Sequence, residues 1–210
     1  MDFTIPLLSI LGAIVVGAAS PGPSFVFVTR TAIALSRRDG LAAALGMGFG
    51  GVTYGALGLF GLQAILAQVE WLYLALKVLG GLYLLWLAFG LWRTAHQPIV
   101  VPKAADGRPA SARRSFTLAL ITQLSNPKAA IVYGSIFAAF LPPQVPGWTF
   151  AVLLPAIFTI EVGWYTIVAL LFSADRPRAA YLRWKRWFDR GAGTVMGALG
   201  IRLILGAGRV

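Results

Sequence analysis

Two ionisable residues stand in the middle of otherwise apolar stretches, where a charge is costly and usually faces a cavity or a partner. Lys128 follows Ser125-Asn126-Pro127 inside the run from Phe116 to Leu141. Glu161 sits halfway along FAVLLPAIFTIEVGWYTIVALLFS. A buried ammonium attracts a carboxylate. A buried carboxylate accepts a solute's ammonium or carries a coupling proton, held more or less tightly according to desolvation and neighbouring charge. A plain Lys–Glu pair with a packing role competes with these readings, and the sequence leaves it open. Lys77 and Arg202 lie nearer the ends of their apolar runs and read as snorkelling cations.

Two short motifs interrupt apolar segments. They are Ser20-Pro21-Gly22-Pro23 and Ser125-Asn126-Pro127-Lys128, with Ser20 and Ser125 separated by 105 residues in a chain of 210. Identity at that offset is otherwise poor, so the repeat is one of layout. Proline removes a backbone donor and clashes with the preceding turn. Serine or asparagine just before proline makes an N-cap followed by the first helical position. Each motif then starts a second half-helix near mid-membrane. Its free N–H groups and positive dipole end favour an anion such as a carboxylate. For either motif alone, a simple kink is the alternative. The candidate solute-binding set is Ser20, Pro21, Gly22, Pro23, Ser125, Asn126, Pro127 and Lys128, with Glu161 as the coupling residue. Capping is the expected task of Asn126.

These residues need a membrane around them. The chain is 58% hydrophobic and 12% charged, half the charge of a soluble domain at about 25%. Mean hydropathy is +0.77, which excludes a soluble globule and a disordered chain. The absence of cysteine removes disulfides, thiolate metal sites and cysteine nucleophiles. One histidine, His96, leaves no imidazole cluster; it reads as a solvated linker residue. No nucleophile–base pair is visible, so an enzyme is disfavoured. Few acids and no cysteine disfavour metal transport. GMGFGG lies in an apolar run with no following Lys-Ser/Thr and is not a nucleotide loop.

The expected fold is an all-α integral membrane protein of six transmembrane helices, arranged as two inverted three-helix repeats with a broken first helix in each. Spans of about 20 apolar residues fall near Phe3–Thr29, Gly40–Val69, Trp71–Trp92, Phe116–Leu141, Trp148–Phe172 and Gly191–Gly206. Period-2 alternation is absent, which argues against a closed barrel. The start lacks the basic n-region of a cleaved signal peptide. Of 18 basic residues, 14 fall on alternate loops, which should then be cytoplasmic. Both termini then lie outside, with Arg202 and Arg209 on the minority side. Five spans plus a re-entrant segment remain an alternative. The Pro-rich stretch between Trp92 and Phe116 is the one long linker. It separates a first repeat over 1–92 from a second over 116–210, with a cytoplasmic linker at 93–115. Three spans per half give the halves opposite senses, the layout of inverted-repeat transporters.

Other residues carry weaker expectations. Arg30, Arg37 and Arg38 read as topology signals, and Asp39 as the cap of a helix beginning at Gly40. Trp71, Trp92 and Trp148 read as interfacial anchors. Tyr54, Trp164 and Tyr165 are polar-tipped aromatics expected to pack, with lining the pathway as the alternative. Gly46, Gly48, Gly50, Gly51 and Gly55, with Gly193, Gly197 and Gly200, form small-residue faces for close helix packing.

SPGPSFVFV, the basic turn SRRDG and LAAALGMGFGG resemble the LysE/RhtB family of amino-acid exporters. LSNPKAAIVYGSIFAAFLP resembles that family's second signature, and Trp164-Tyr165 and FDRGAGTVMGALGIRL its C-terminal part. The resemblance covers nearly the whole chain. It implies export of an amino acid or close derivative across the bacterial inner membrane, without ATP, driven by an ion gradient; protons are the expected coupling ion. No cofactor is expected. Partners are an amino-acid-like small molecule and membrane lipids, with no nucleic acid; a homo-oligomer is left open. An efflux carrier for another small solute, an integral membrane enzyme and a passive assembly module are the competing classes.

Overall fold

A computed structural model describes residues 3–68, 70–97, 111–141 and 145–209. The described residues form eight α-helices and no strand: α1 (Thr4–Ala19), α2 (Pro23–Ala34), α3 (Arg37–Gln68), α4 (Glu70–Thr94), α5 (Ala112–Leu124), α6 (Pro127–Phe140), α7 (Trp148–Phe172) and α8 (Asp175–Leu205), closed by a short 3₁₀ turn at Gly206–Arg209. The middle of the expected linker, residues 98–110 with Lys103 and Arg108, lies outside the described residues. So do residues 142–144 of the expected fourth loop.

Both expected interruptions occur. Ser20 and Asn126 each precede a proline and each is extended, with ψ of 122° and 106°. Proline's ring drives the preceding residue out of the helical region, so α1 and α5 stop there. Pro23 and Pro127 then occupy the opening positions of α2 and α6. The axes of α1 and α2 are bent by 54°. Among the described residues two helical stretches are long and apolar enough to cross a bilayer, Arg37–Gly61 and Trp148–Phe172, and the bent pair α1–α2 makes a third where it is taken as one span.

Three local expectations need correction. Ser20 is the C-cap of α1, not the N-cap of a half-helix; the extended Gly22 stands at the N-cap of α2, without a side-chain bond. Asp39 is not a cap either. The helix begins at Arg37, and Ser36 Oγ accepts from the Asp39 N–H at 3.1 Å. The basic stretch Arg176–Arg190, expected as a loop, is the first half of α8. Between Pro177 and Gly191 it contains neither glycine nor proline and is rich in Ala, Leu, Lys and Arg, all strong helix formers. The expected span Gly191–Gly206 continues the same helix.

Large apolar side chains cover the outside. Ile5, Leu57, Phe60, Leu79, Trp86, Phe89 and Leu205 are all more than half exposed, the surface a lipid-solvated helix bundle presents. Inside, two apolar clusters lie on either side of a polar layer. The first joins α1, α4, α6 and α8 to Leu59 of α3 and to Leu153 and Ile157 of α7. The second joins α2 and Ala119 of α5 to Ala43, Ala44 and Met47 of α3 and to Tyr165, Val168, Ala169 and Phe172 of α7. Glu161 of α7 falls between the two sets.

The glycines of α3 let its neighbours approach. A Cβ on Gly46 would lie 2.4 Å from the Phe116 carbonyl oxygen and 3.0 Å from the Leu120 nitrogen, both backbone atoms that cannot step aside. Nothing lies within 4 Å of a Cβ on Gly12. Gly46→Ala is therefore expected to destabilise the protein by about 1–3 kcal/mol, the usual cost of overpacking, and Gly12→Ala to leave it unharmed. Thermal unfolding of the purified variants in detergent checks this. Equal melting temperatures for both variants would show that the α3–α5 contact yields freely.

Candidate functional site

The second helix break sets the position of Lys128. Asn126 Oδ1 accepts from the Lys128 backbone N–H at 3.0 Å, so Asn126 caps α6 as expected. Lys128 is then the second residue of α6, and its side chain crosses to the first break. There its ammonium donates to Ser20 O at 2.6 Å, Ser20 Oγ at 2.9 Å and Pro21 O at 3.2 Å. These carbonyls lie at the end of α1, where the helix leaves its last C=O groups without intrahelical partners and the dipole favours a cation. A side chain at position 22 would collide with this arrangement. A Cβ there would lie 3.0 Å from Lys128 Cδ and 3.2 Å from Nζ.

Glu161 is held separately. Tyr133 donates its hydroxyl to Glu161 Oε1 at 2.9 Å, and Gln123 Nε2 lies 3.5 Å from Oε2. Ser24 donates to Gln123 Oε1 and accepts from Asn126 Nδ2 at 2.9 Å. One polar chain thus runs from the second break through α2 and α5 to the carboxylate on α7. Gly51 makes room for it, since a Cβ there would lie 2.7 Å from Glu161 Cγ and 2.9 Å from the Tyr133 hydroxyl.

Ser20, Gly22, Asn126, Lys128 and Glu161 line one cavity. Ile14, Phe25, Val132 and Ile136 supply much of its apolar wall. Lys128 and Glu161 share this cavity without forming an ion pair. The free space is about 30 Å³, enough for one or two waters, so a larger solute has to displace a side chain. Pro21 contributes only its carbonyl. Pro23, Ser125 and Pro127 are exposed and shape the breaks without lining the cavity.

Three residues of the cavity, Ser24, Gln123 and Tyr133, have no role in the sequence analysis, and Tyr165, for which packing is the first expectation and lining the pathway the alternative, lines the cavity. A faint signal existed for two of them. Ser24 lies four residues after Ser20, and Gln123 three before Asn126, so each stands just across a break from a residue of the candidate set. Tyr54 likewise does more than pack, donating to the Leu124 carbonyl at 2.7 Å where α5 ends. His96 is exposed, with Nε2 2.9 Å from Arg190 Nη2. Among the described residues no three metal-ligating side chains come together.

Lipid-facing helices around a charged cavity define a helical membrane protein with a small polar site at its helix breaks. The family described as LysE type translocator has a sequence model that matches residues 15–207. The chain belongs to that family. It is 36% identical to the threonine efflux protein of Escherichia coli K12 over 193 residues, 91% of this chain and 93% of that one. Identity to the threonine efflux protein of Salmonella typhi is also 36%, covering 97% of both chains. The leucine efflux protein of Klebsiella pneumoniae is 28% identical over 84% of this chain and 82% of its own. No solved structure matches the chain.

Proposed function

We propose that this protein is a secondary carrier that exports an amino acid or a close derivative across the bacterial inner membrane, coupled to protons through Glu161. One observation carries the reading: a cationic and an anionic side chain face one cavity from different helices, each held by neutral groups instead of by the other. A zwitterion brings the two charges that such a cavity lacks. Its carboxylate suits Lys128 and its ammonium suits Glu161, with apolar side chains to receive an aliphatic part. The names of the threonine and leucine efflux relatives agree with this. The test is counterflow in proteoliposomes preloaded with unlabelled amino acids. Accumulation of a labelled amino acid supports the reading. Failure of every standard amino acid to exchange would overturn it.

The proposed architecture is six spans in two inverted repeats, 1–92 and 116–210, joined by a cytoplasmic linker at 93–115. The pairing of α3 with α7 and of α4 with α8, the corresponding helices of the two halves, supports it. The chain has no cysteine, so single cysteines report topology without background. Arg37→Cys, Arg108→Cys and Arg183→Cys are expected to resist a membrane-impermeant maleimide in intact cells and to react after permeabilisation. Labelling of any two in intact cells contradicts the six-span arrangement.

A further inference from the structure

The cavity is too small for a solute while Lys128 lies across Gly22 onto the first break. Lys128 is the lining side chain that ties the two breaks together, and departure of its ammonium from Ser20 and Pro21 opens that side of the cavity. Until the solute's carboxylate reaches it, a displaced ammonium inside a membrane protein needs an interim partner, because a buried cation without one is strongly unfavourable. Two buried carboxylates stand on helices that pack against α1, whose end Lys128 reaches: Glu161 on α7 and Asp189 on α8. They differ in what they have to offer. Both oxygens of Glu161 face donors, Tyr133 and Gln123.

Asp189, on α8, is 1% exposed. Its Oδ2 pairs with Lys185, one helical turn earlier. Its Oδ1 is buried and finds no hydrogen-bond partner among the described residues. Lys185 is itself anchored, donating to the Thr94 carbonyl at the end of α4 at 3.3 Å. A buried acceptor without a donor is unfavourable and stands open to an N–H group. The helix that carries Asp189 packs against α1 and α6, the two helices that Lys128 joins.

We infer that Asp189 is the second station of the Lys128 ammonium, receiving it on its open oxygen when the first helix break gives it up to admit solute. Asp189 is thus a positioning residue, acting on the solute through Lys128. The inference rests on the proposed transport reading. No bond is made or broken in the step. One hydrogen-bonded position of the ammonium is exchanged for another, and Lys185 keeps the other Asp189 oxygen occupied.

The experiment is a double-mutant cycle read as amino-acid counterflow in proteoliposomes, with wild type, Asp189→Asn, Lys128→Met and the double variant. Asp189→Asn is expected to lower the maximal exchange rate at least tenfold with a smaller change in KM. In the Lys128→Met background the same change is expected to have little further effect, because the group it serves is gone. Asp189→Glu keeps the charge and should recover part of the rate, which a packing defect repaired only by size would not do. Independent, multiplying effects of the two substitutions would overturn the inference, as would full exchange by Asp189→Asn. If Asp189→Asn fails to fold, Asp189→Glu decides. A folded Glu variant that is insensitive to Lys128→Met sinks the inference. Wild-type protein that exchanges no amino acid would sink the transport reading and this step with it, whereas active wild type with an unaffected Asp189→Asn would sink this step alone.

Discussion

Replacing Glu161 by glutamine is expected to reduce export driven by a pH gradient to the background of protein-free liposomes, while exchange of substrate for substrate continues. Glutamine has nearly the shape of glutamate, and its amide oxygen can still accept from Tyr133. The long 3.5 Å contact from Gln123 is given up, because the new amide nitrogen faces the Gln123 amide nitrogen, while the bonds of Ser24 to Gln123 and Asn126 do not involve the substituted group. What disappears is the ability to gain and lose a proton. Net export coupled to protons requires that change in every cycle, but exchange can return a loaded carrier without it. The measurement compares uptake under an imposed pH gradient with counterflow at equal pH in the same vesicles. Full pH-driven export by Glu161→Gln would remove Glu161 from the coupling step.

Lys128→Met is expected to raise the KM for exchange roughly ten- to a hundredfold. A hydrogen bond to a charged group contributes about 1.5–3 kcal/mol, and each 1.4 kcal/mol is about tenfold in affinity. The variant also leaves Ser20 O and Pro21 O without the ammonium that now bridges them. Lys128→Arg is not expected to rescue it. The planar guanidinium needs a different approach to the Ser20 and Pro21 carbonyls than the compact ammonium does. Because Lys128 and Glu161 form no ion pair, combining Lys128→Met with Glu161→Gln should be worse than either change. Recovery of most activity in the double variant would mean that the two residues serve chiefly to neutralise each other.

Much of the helical layout was legible because it rests on local rules. Long apolar runs, proline's steric effect on the residue before it and an asparagine cap are all properties of a few neighbouring residues. They gave both breaks and the cap at Asn126. The partners of Lys128 were not legible. Its acceptors lie 107 and 108 residues away, and only packing decides that they are the carbonyls of Ser20 and Pro21. Ser20 was misread as an N-cap because two prolines flank Gly22, and sequence alone cannot say which of them opens the helix. Gln123 and Tyr133 look like ordinary members of apolar helices until α7 brings Glu161 between them. The basic half of α8 was misread because charge density suggests a loop, while helix propensity there favours continuation. Asp189 was hidden by the same error.

The two apolar clusters divide the helices unequally. α1 and α6 belong to one, α2 and α5 to the other, and only α3 and α7 contribute to both. The first and fourth apolar segments of the chain are therefore each split between two packing domains, and the split falls at the proline breaks. In an unbroken helix, tilting one end carries the other with it. A helix cut at its centre has two ends that swing independently, each tied to its own apolar block. Parting one block leaves the contacts of the other in place, with α3 and α7 as the common axle. The free-energy barrier to opening one mouth is then set by roughly half of the interior. A bundle of continuous helices would have to loosen the whole, because close-packed interiors shift between discrete arrangements and do not deform smoothly.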